Sequence, residues 1–165
     1  MSKITAISGR VLYNSRGSKT IEVDITTDEK FLGRVCAPSG ASVGKFEAVS
    51  FPNNGPEESL SILNKNSDKF IGIDSSDLKQ VHDVIRSIDE THNYAKIGGA
   101  CAFAITIAAT ESAAKAENKH GEFIESKDSQ GDWQLLADLF VHELTGKRSR
   151  RHSKRNLPSQ RSSQI

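Results

Sequence analysis

The groups best able to do chemistry lie in Cys36-Ala37-Pro38-Ser39-Gly40-Ala41-Ser42-Val43-Gly44-Lys45-Phe46-Glu47, which holds two glycines, two hydroxyls and one proline. Pro38 has no N–H to give to a sheet and biases Ala37 toward extended backbone, so a strand should stop there. Gly40 and Gly44 permit backbone conformations and close approaches that a Cβ would obstruct. Between them Ser42 offers a neutral oxygen that could bind a hard cation such as Mg²⁺ or hydrogen-bond an anion. On composition alone a polar connection between two elements is the simpler reading. The other reactive residue types form no such group. His82, His92, His120, His142 and His152 are not at metal-ligand spacing, and Gly98-Gly99 alone is too weak to be a nucleotide-binding fingerprint.

The order of the residues says more than their composition. Pro-Ser-Gly-Ala-Ser-x-Gly-x-x-Glu, residues 38–47, resembles the mobile active-site loop of the enolase family. Tyr13-Asn14-Ser15-Arg16-Gly17 and then Thr20-Ile21-Glu22-Val23-Asp24 resemble a turn and strand that precede that loop in enolases. Ile88-Asp89-Glu90-Thr91 and Ala95-Lys96-Ile97-Gly98-Gly99-Ala100 are looser matches to two further family segments. The resemblance covers residues 3–118 and is to the amino-terminal domain only. Within it, Asn14 stands for the usual aspartate and Glu90 for the usual glycine. Gly99, Cys101 and the stretch 49–54 also depart from the pattern, as in a divergent, archaeal-like member.

The resemblance implies a lyase that interconverts 2-phosphoglycerate and phosphoenolpyruvate in glycolysis with two Mg²⁺ per complete active site. Ser42 matches the serine that binds the second Mg²⁺ when the loop closes, and Gly40, Ala41 and Gly44 match the loop's flexible parts. In the family the lysine base, the acid and the carboxylates for the first Mg²⁺ belong to a barrel domain. No segment here matches them, so no catalytic residue is assigned to this chain and the chain alone is expected to be inactive. The resemblance also implies a homodimer, with Arg10 and Glu22 at positions that make salt bridges to the partner subunit.

The elements that must position the loop are legible from periodicity. Residues 4–13, 19–27 and 30–37 read as strands; Ile21, Val23 and Ile25 alternate with Glu22, Asp24 and Thr26, a strand with one polar face. Short, turn-rich connections at 14–18 and 27–29 favour an antiparallel meander. After the loop, Pro56 followed by Glu57 and Glu58 starts a helix expected to run to about Phe70. Ser75 or Ser76 should cap a second, with Leu78, Val81, Val84, Ile85 and Ile88 at three- and four-residue spacing. The third, 98–118, is apolar nearly all round and should be the central buried helix, a core element rather than a cofactor site. The expected fold class is α+β: a three-stranded antiparallel meander followed by three to four helices, with no barrel.

Beyond residue 118 the resemblance stops. Residues 119–146 read as a linker and an amphipathic helix that starts at Asp132, carries Trp133, Leu136, Leu139, Phe140 and Leu144, and ends at Gly146. Residues 147–165 hold seven Lys/Arg and no acid, leaving fifteen basic against twenty-one acidic residues elsewhere. That composition reads as a disordered tail. The alternative to a lid domain is therefore a truncated, non-catalytic remnant or interaction module whose tail attracts nucleic-acid phosphate. Two distant cysteines, Cys36 and Cys101, suit reduced thiols, and no apolar run reaches a membrane span, so a cytoplasmic protein with no membrane partner is expected.

Overall fold

The structure, a computed structural model, describes residues 2–39 and 48–118; the linker and amphipathic helix expected at 119–146 and the tail expected at 147–165 lie outside the described residues. Three strands, β1 (Ile4–Tyr13), β2 (Lys19–Thr27) and β3 (Phe31–Cys36), form an antiparallel sheet in that order. Helices α1 (Pro56–Lys65), α2 (Leu78–Ile88) and α3 (Gly99–Ala116) follow. The α+β architecture is as expected, with no barrel among the described residues. No helix of the described residues is long and apolar enough to cross a membrane.

The pleat sorts the sheet into two faces. Ile21, Val23 and Ile25 are fully buried, and they lie level with Val11, Gly9 and Ile7 on β1. On β3, Val35 and Gly33 continue the rows of Val23 and Ile25. Helix α3 lies against this inner face. Ala104, Ile105, Ala108 and Ala109 are fully buried, so one helix supplies much of the core. Its small side chains let backbone meet backbone. A Cβ built on Gly33 would stand 2.0 Å from the Ala108 carbonyl oxygen, a distance no side chain can occupy.

The outer face is polar. Arg10 pairs with Glu22 directly across the strands, and also with Asp24 at 3.2 Å. Arg34 grips Asp24 with two bonds of 2.7 Å each. The Arg34 guanidinium is the main reason the Asp24 carboxyl lies below its usual range. Helix α3 also covers the free edge of β3. Glu111 Oε2 accepts from Arg34 N–H at 2.9 Å, and Lys115 Nζ donates to the Leu32 carbonyl at 2.7 Å. Edge groups that would otherwise template another strand are thereby satisfied.

Two helix boundaries differ from expectation. Helix α1 stops at Lys65 instead of reaching Phe70, because Asn66 folds its amide back onto the Ile62 carbonyl (2.8 Å) and a 3₁₀ turn, Ser67–Phe70, follows. The cap of α2 is Asp77, accepting from Gln80 N–H at 3.1 Å, and not Ser75 or Ser76. Ser76 is held by Asp74, while Ser75 Oγ turns inward to the Ser2 carbonyl and accepts from Thr27 Oγ1. Thr27 Oγ1 in turn meets Ser112 Oγ at 2.8 Å, so a buried hydroxyl chain joins the N-terminus, β2 and α3.

The contact at Gly33 should make Gly33→Ala cost about 3 kcal/mol, the upper range for overpacking. Urea unfolding followed by far-ultraviolet circular dichroism will show it as a lower midpoint; an unchanged midpoint would mean that α3 does not sit this close. A second expectation concerns the thiols. Cys36 is exposed, whereas burial pushes the Cys101 thiol up to about 12. Iodoacetamide should label one cysteine in the native chain and the second only in denaturant, as read by mass spectrometry.

Candidate functional site

Gly40, Ala41, Ser42 and Gly44 lie outside the described residues, but both stems of their loop lie within them. The leading stem leaves β3 in a fixed direction. Ala37 is buried, its N–H donates to the Ile21 carbonyl at 2.8 Å, and its carbonyl accepts from the buried Thr20 hydroxyl at 2.9 Å. The β1–β2 turn then reaches the stem. Asn14 Oδ1 accepts from Arg16 N–H and Ser18 N–H at 2.9 and 3.0 Å, and Asn14 Nδ2 donates to Ser39 Oγ at 3.0 Å. An aspartate could accept the same turn bonds. Toward Ser39 it could only accept, so the asparagine found here reverses that hydrogen bond.

The trailing stem is the cap of α3. Gly99 N–H donates to the Val49 carbonyl at 2.7 Å and Ala100 N–H to the Ser50 carbonyl at 3.1 Å. These N–H groups belong to the helix start, where an anion could otherwise bind. The chain itself occupies that position. Gly98 has φ +89°, and a Cβ there would lie 2.7 Å from the Ser50 carbonyl. The Gly98-Gly99 pair therefore makes room for the stem and is no phosphate cradle.

A third segment, residues 89–98, holds the trailing stem from behind. Asn93 accepts from Val49 N–H at 2.9 Å. At its start the fully buried Asp89 carboxylate accepts four bonds, from Thr91 Oγ1 (2.5 Å), Ile97 N–H (2.7 Å), Lys96 N–H (2.9 Å) and Thr91 N–H (3.0 Å). Burial alone would raise its pKa, but these donors outweigh it and hold the carboxyl below its usual range. From α2, Arg86 donates to the Thr91 carbonyl at 2.9 Å and lies over the Tyr94 ring, 4.1 Å from its centre. Tyr94 itself has φ +57°, a strained conformation that its burial maintains.

Asp89 and Arg86 are holders of the loop that periodicity does not reveal, although the Asp-x-Thr spacing of Asp89 and Thr91 is a signal of a side chain bonding the backbone two residues on. His82 is half-buried and meets Thr106 Oγ1 at 3.2 Å. It sits on the face of α2 that packs on α3. Arg10 and Glu22 lie on the outer sheet face, paired with each other, and Glu22 stands level with Cys36 at the start of the leading stem.

Among the described residues, no three His, Cys, Asp or Glu side chains gather into a metal-binding group. The stems present neutral oxygens, those of Asn14, Ser39 and Ser50, and the Asp89 carboxylate is already committed to four donors. That set does not by itself fit Mg²⁺, which sheds water reluctantly and needs carboxylates or substrate oxygens beside it.

The sequence model described as enolase, N-terminal domain, matches residues 4–120. The chain is 36% identical over 118 residues to an enolase of Methanosphaera stadtmanae, covering 71% of this chain and 28% of that protein. It is 37% identical over 118 residues to an enolase of Methanothermobacter thermautotrophicus, with the same coverage. An enolase of Halorubrum lacusprofundi is 37% identical over 115 residues, covering 69% of this chain and 28% of the other. The chain thus spans 28% of the length of these relatives.

Asp89 gives the test of this frame. Its folded pKa lies below the unfolded value of about 3.9, so its contribution is present above that pH and is lost as pH falls through the folded pKa. Asp89→Asn should destabilise the domain by about 3 kcal/mol at pH 7, because an amide NH₂ would face backbone N–H donors. Urea midpoints of the two proteins should converge as pH falls through the folded pKa of Asp89. A gap that stays constant with pH would show that the carboxylate charge is not what holds residues 91–97.

Proposed function

Because this chain belongs to the enolase family through its amino-terminal domain, we propose that it acts as the lid-bearing domain of a Mg²⁺-dependent lyase interconverting 2-phosphoglycerate and phosphoenolpyruvate. The observation that carries this reading is the framing of residues 40–47. One stem is tied to β2 and the β1–β2 turn, the other to the start of α3 and the Asp89 segment. Two ends fixed by the core are what a substrate-covering loop requires. Residues 1–118 form this domain in the proposal; 119–146 are a linker and amphipathic helix, and 147–165 a basic tail.

Gly40, Ala41 and Gly44 supply the loop's freedom, and Ser42 supplies the hydroxyl whose family position is at Mg²⁺. Removing a proton α to a carboxylate requires a base, and the family's base lies in its barrel. The domain accordingly covers and orients, and turnover depends on a barrel from elsewhere. The Arg10–Glu22 pair is the proposed contact to a second subunit, Arg10 being the half-exposed member. Glycolytic, cytoplasmic use follows from the same reading.

The experiment joins residues 1–118 to the barrel of the Methanothermobacter thermautotrophicus relative and follows phosphoenolpyruvate absorbance at saturating Mg²⁺. We expect turnover from the chimera and none from the purified 165-residue chain, whose Mg²⁺ affinity should be no tighter than about millimolar, roughly −4 kcal/mol. Ser42→Ala in the chimera should lower kcat by about 10–100-fold, the range for groups that support a metal site, with an unchanged unfolding midpoint. A folded chimera without turnover, or turnover by the isolated chain that survives repeated purification, would refute the assignment.

A further inference from the structure

The end of α3 and the start of α2 enclose a groove of about 190 Å³, lined by Ser76, Leu78, Thr110, Ala113, Ala114 and Glu117. Its hydroxyls are already committed. Ser76 Oγ donates to Asp74 at 2.7 Å and Thr110 Oγ1 to the Thr106 carbonyl at 2.9 Å. What remains for an occupant is mostly carbon, from Leu78, Ala113 and Ala114. The volume suits a single ring, since a cavity of about 150 Å³ lined by apolar side chains holds benzene.

The chain leaves the domain at this same place. Glu117, which caps α3, lines the groove, and forty-seven residues follow Asn118. Among them Trp133, Leu136, Leu139, Phe140 and Leu144 recur at helical spacing and need an apolar surface to cover. Thirteen residues, 119–131, separate this segment from Asn118, a reach of roughly 40 Å if extended, so the groove is well within range.

From these observations we infer that residues 132–144 dock as an amphipathic helix into the α2–α3 groove of their own domain, placing an aromatic ring between Leu78 and Ala114. The occupant is internal, so the contact is intramolecular and independent of concentration. It gives residues 119–146 a role in covering this face of the domain.

Trp133 is the sole tryptophan, so its fluorescence reports the contact directly in the full 165-residue chain. We expect blue-shifted emission and weak acrylamide quenching in the native chain, both lost on Ala114→Arg, which puts a charged side chain into the groove. The double variant Leu136→Asp/Leu139→Asp should expose Trp133 equally while leaving Cys101 protected from alkylation, which separates undocking from unfolding. Native emission matching that of the urea-unfolded chain would overturn the proposal. So would shielding indifferent to both sets of changes, or shielding that grows with protein concentration and thereby identifies a second copy as the occupant.

Discussion

The close seat of α3 on the sheet is the constraint on which the rest of the domain depends. Ala104, Ala108 and Ala109 replace bulk with proximity, and Gly33 removes the last Cβ between the β3 backbone and the Ala108 carbonyl. Core interiors are packed to the density of organic crystals, so a helix at this distance has little freedom to slide. Everything that α3 carries is then placed to within side-chain reach. Glu111 and Lys115 meet the β3 edge, Ser112 meets the buried Thr27 hydroxyl, and the helix start meets residues 49–50.

The candidate site inherits its geometry from that seat. A helix N-terminus has N–H groups that require acceptors, and here the acceptors are the Val49 and Ser50 carbonyls. Fixing α3 therefore fixes the trailing stem. The leading stem is fixed independently through β2, whose Thr20 hydroxyl and Ile21 carbonyl both bind Ala37. Two stems set by different parts of one rigid core define where residues 40–47 begin and end. The buried Asp89 reinforces the arrangement by organising residues 91–97 with four directed bonds instead of apolar packing. A carboxylate is suited to this because it accepts from several donors at once and charge-assisted bonds are the stronger kind.

The outer sheet face follows a different physical logic. Two guanidinium and two carboxylate groups, from Arg10, Arg34, Glu22 and Asp24, neutralise one another across adjacent strands. Half-exposed pairs of this kind add roughly 0.2–1 kcal/mol each and mainly set which surfaces can meet. The face is thus a polar surface of defined charge pattern.

Much of the fold was legible in the sequence because period two and period 3.6 are local properties. The alternation of Ile21, Val23 and Ile25 fixed β2 and its inner face, and the Leu78–Ile88 spacing fixed α2. The ordered string at 38–47 and the turn at 13–17 pointed to the enolase amino-terminal domain. What the sequence could not decide were the competitions between polar groups. Ser75, Ser76 and Asp77 are all able to cap a helix, and only the inward pull of Ser2, Thr27 and Asp74 leaves the task to Asp77. Gly98-Gly99 reads as nothing in particular until the Ser50 carbonyl lies against it. Asp89 is one more acidic residue until burial surrounds it with N–H groups from residues up to eight positions away. Local patterning chose the elements, because each strand or helix must hide one face. Tertiary structure assigned the polar partners, because a hydrogen bond is allotted only once the chain has brought its donors and acceptors together.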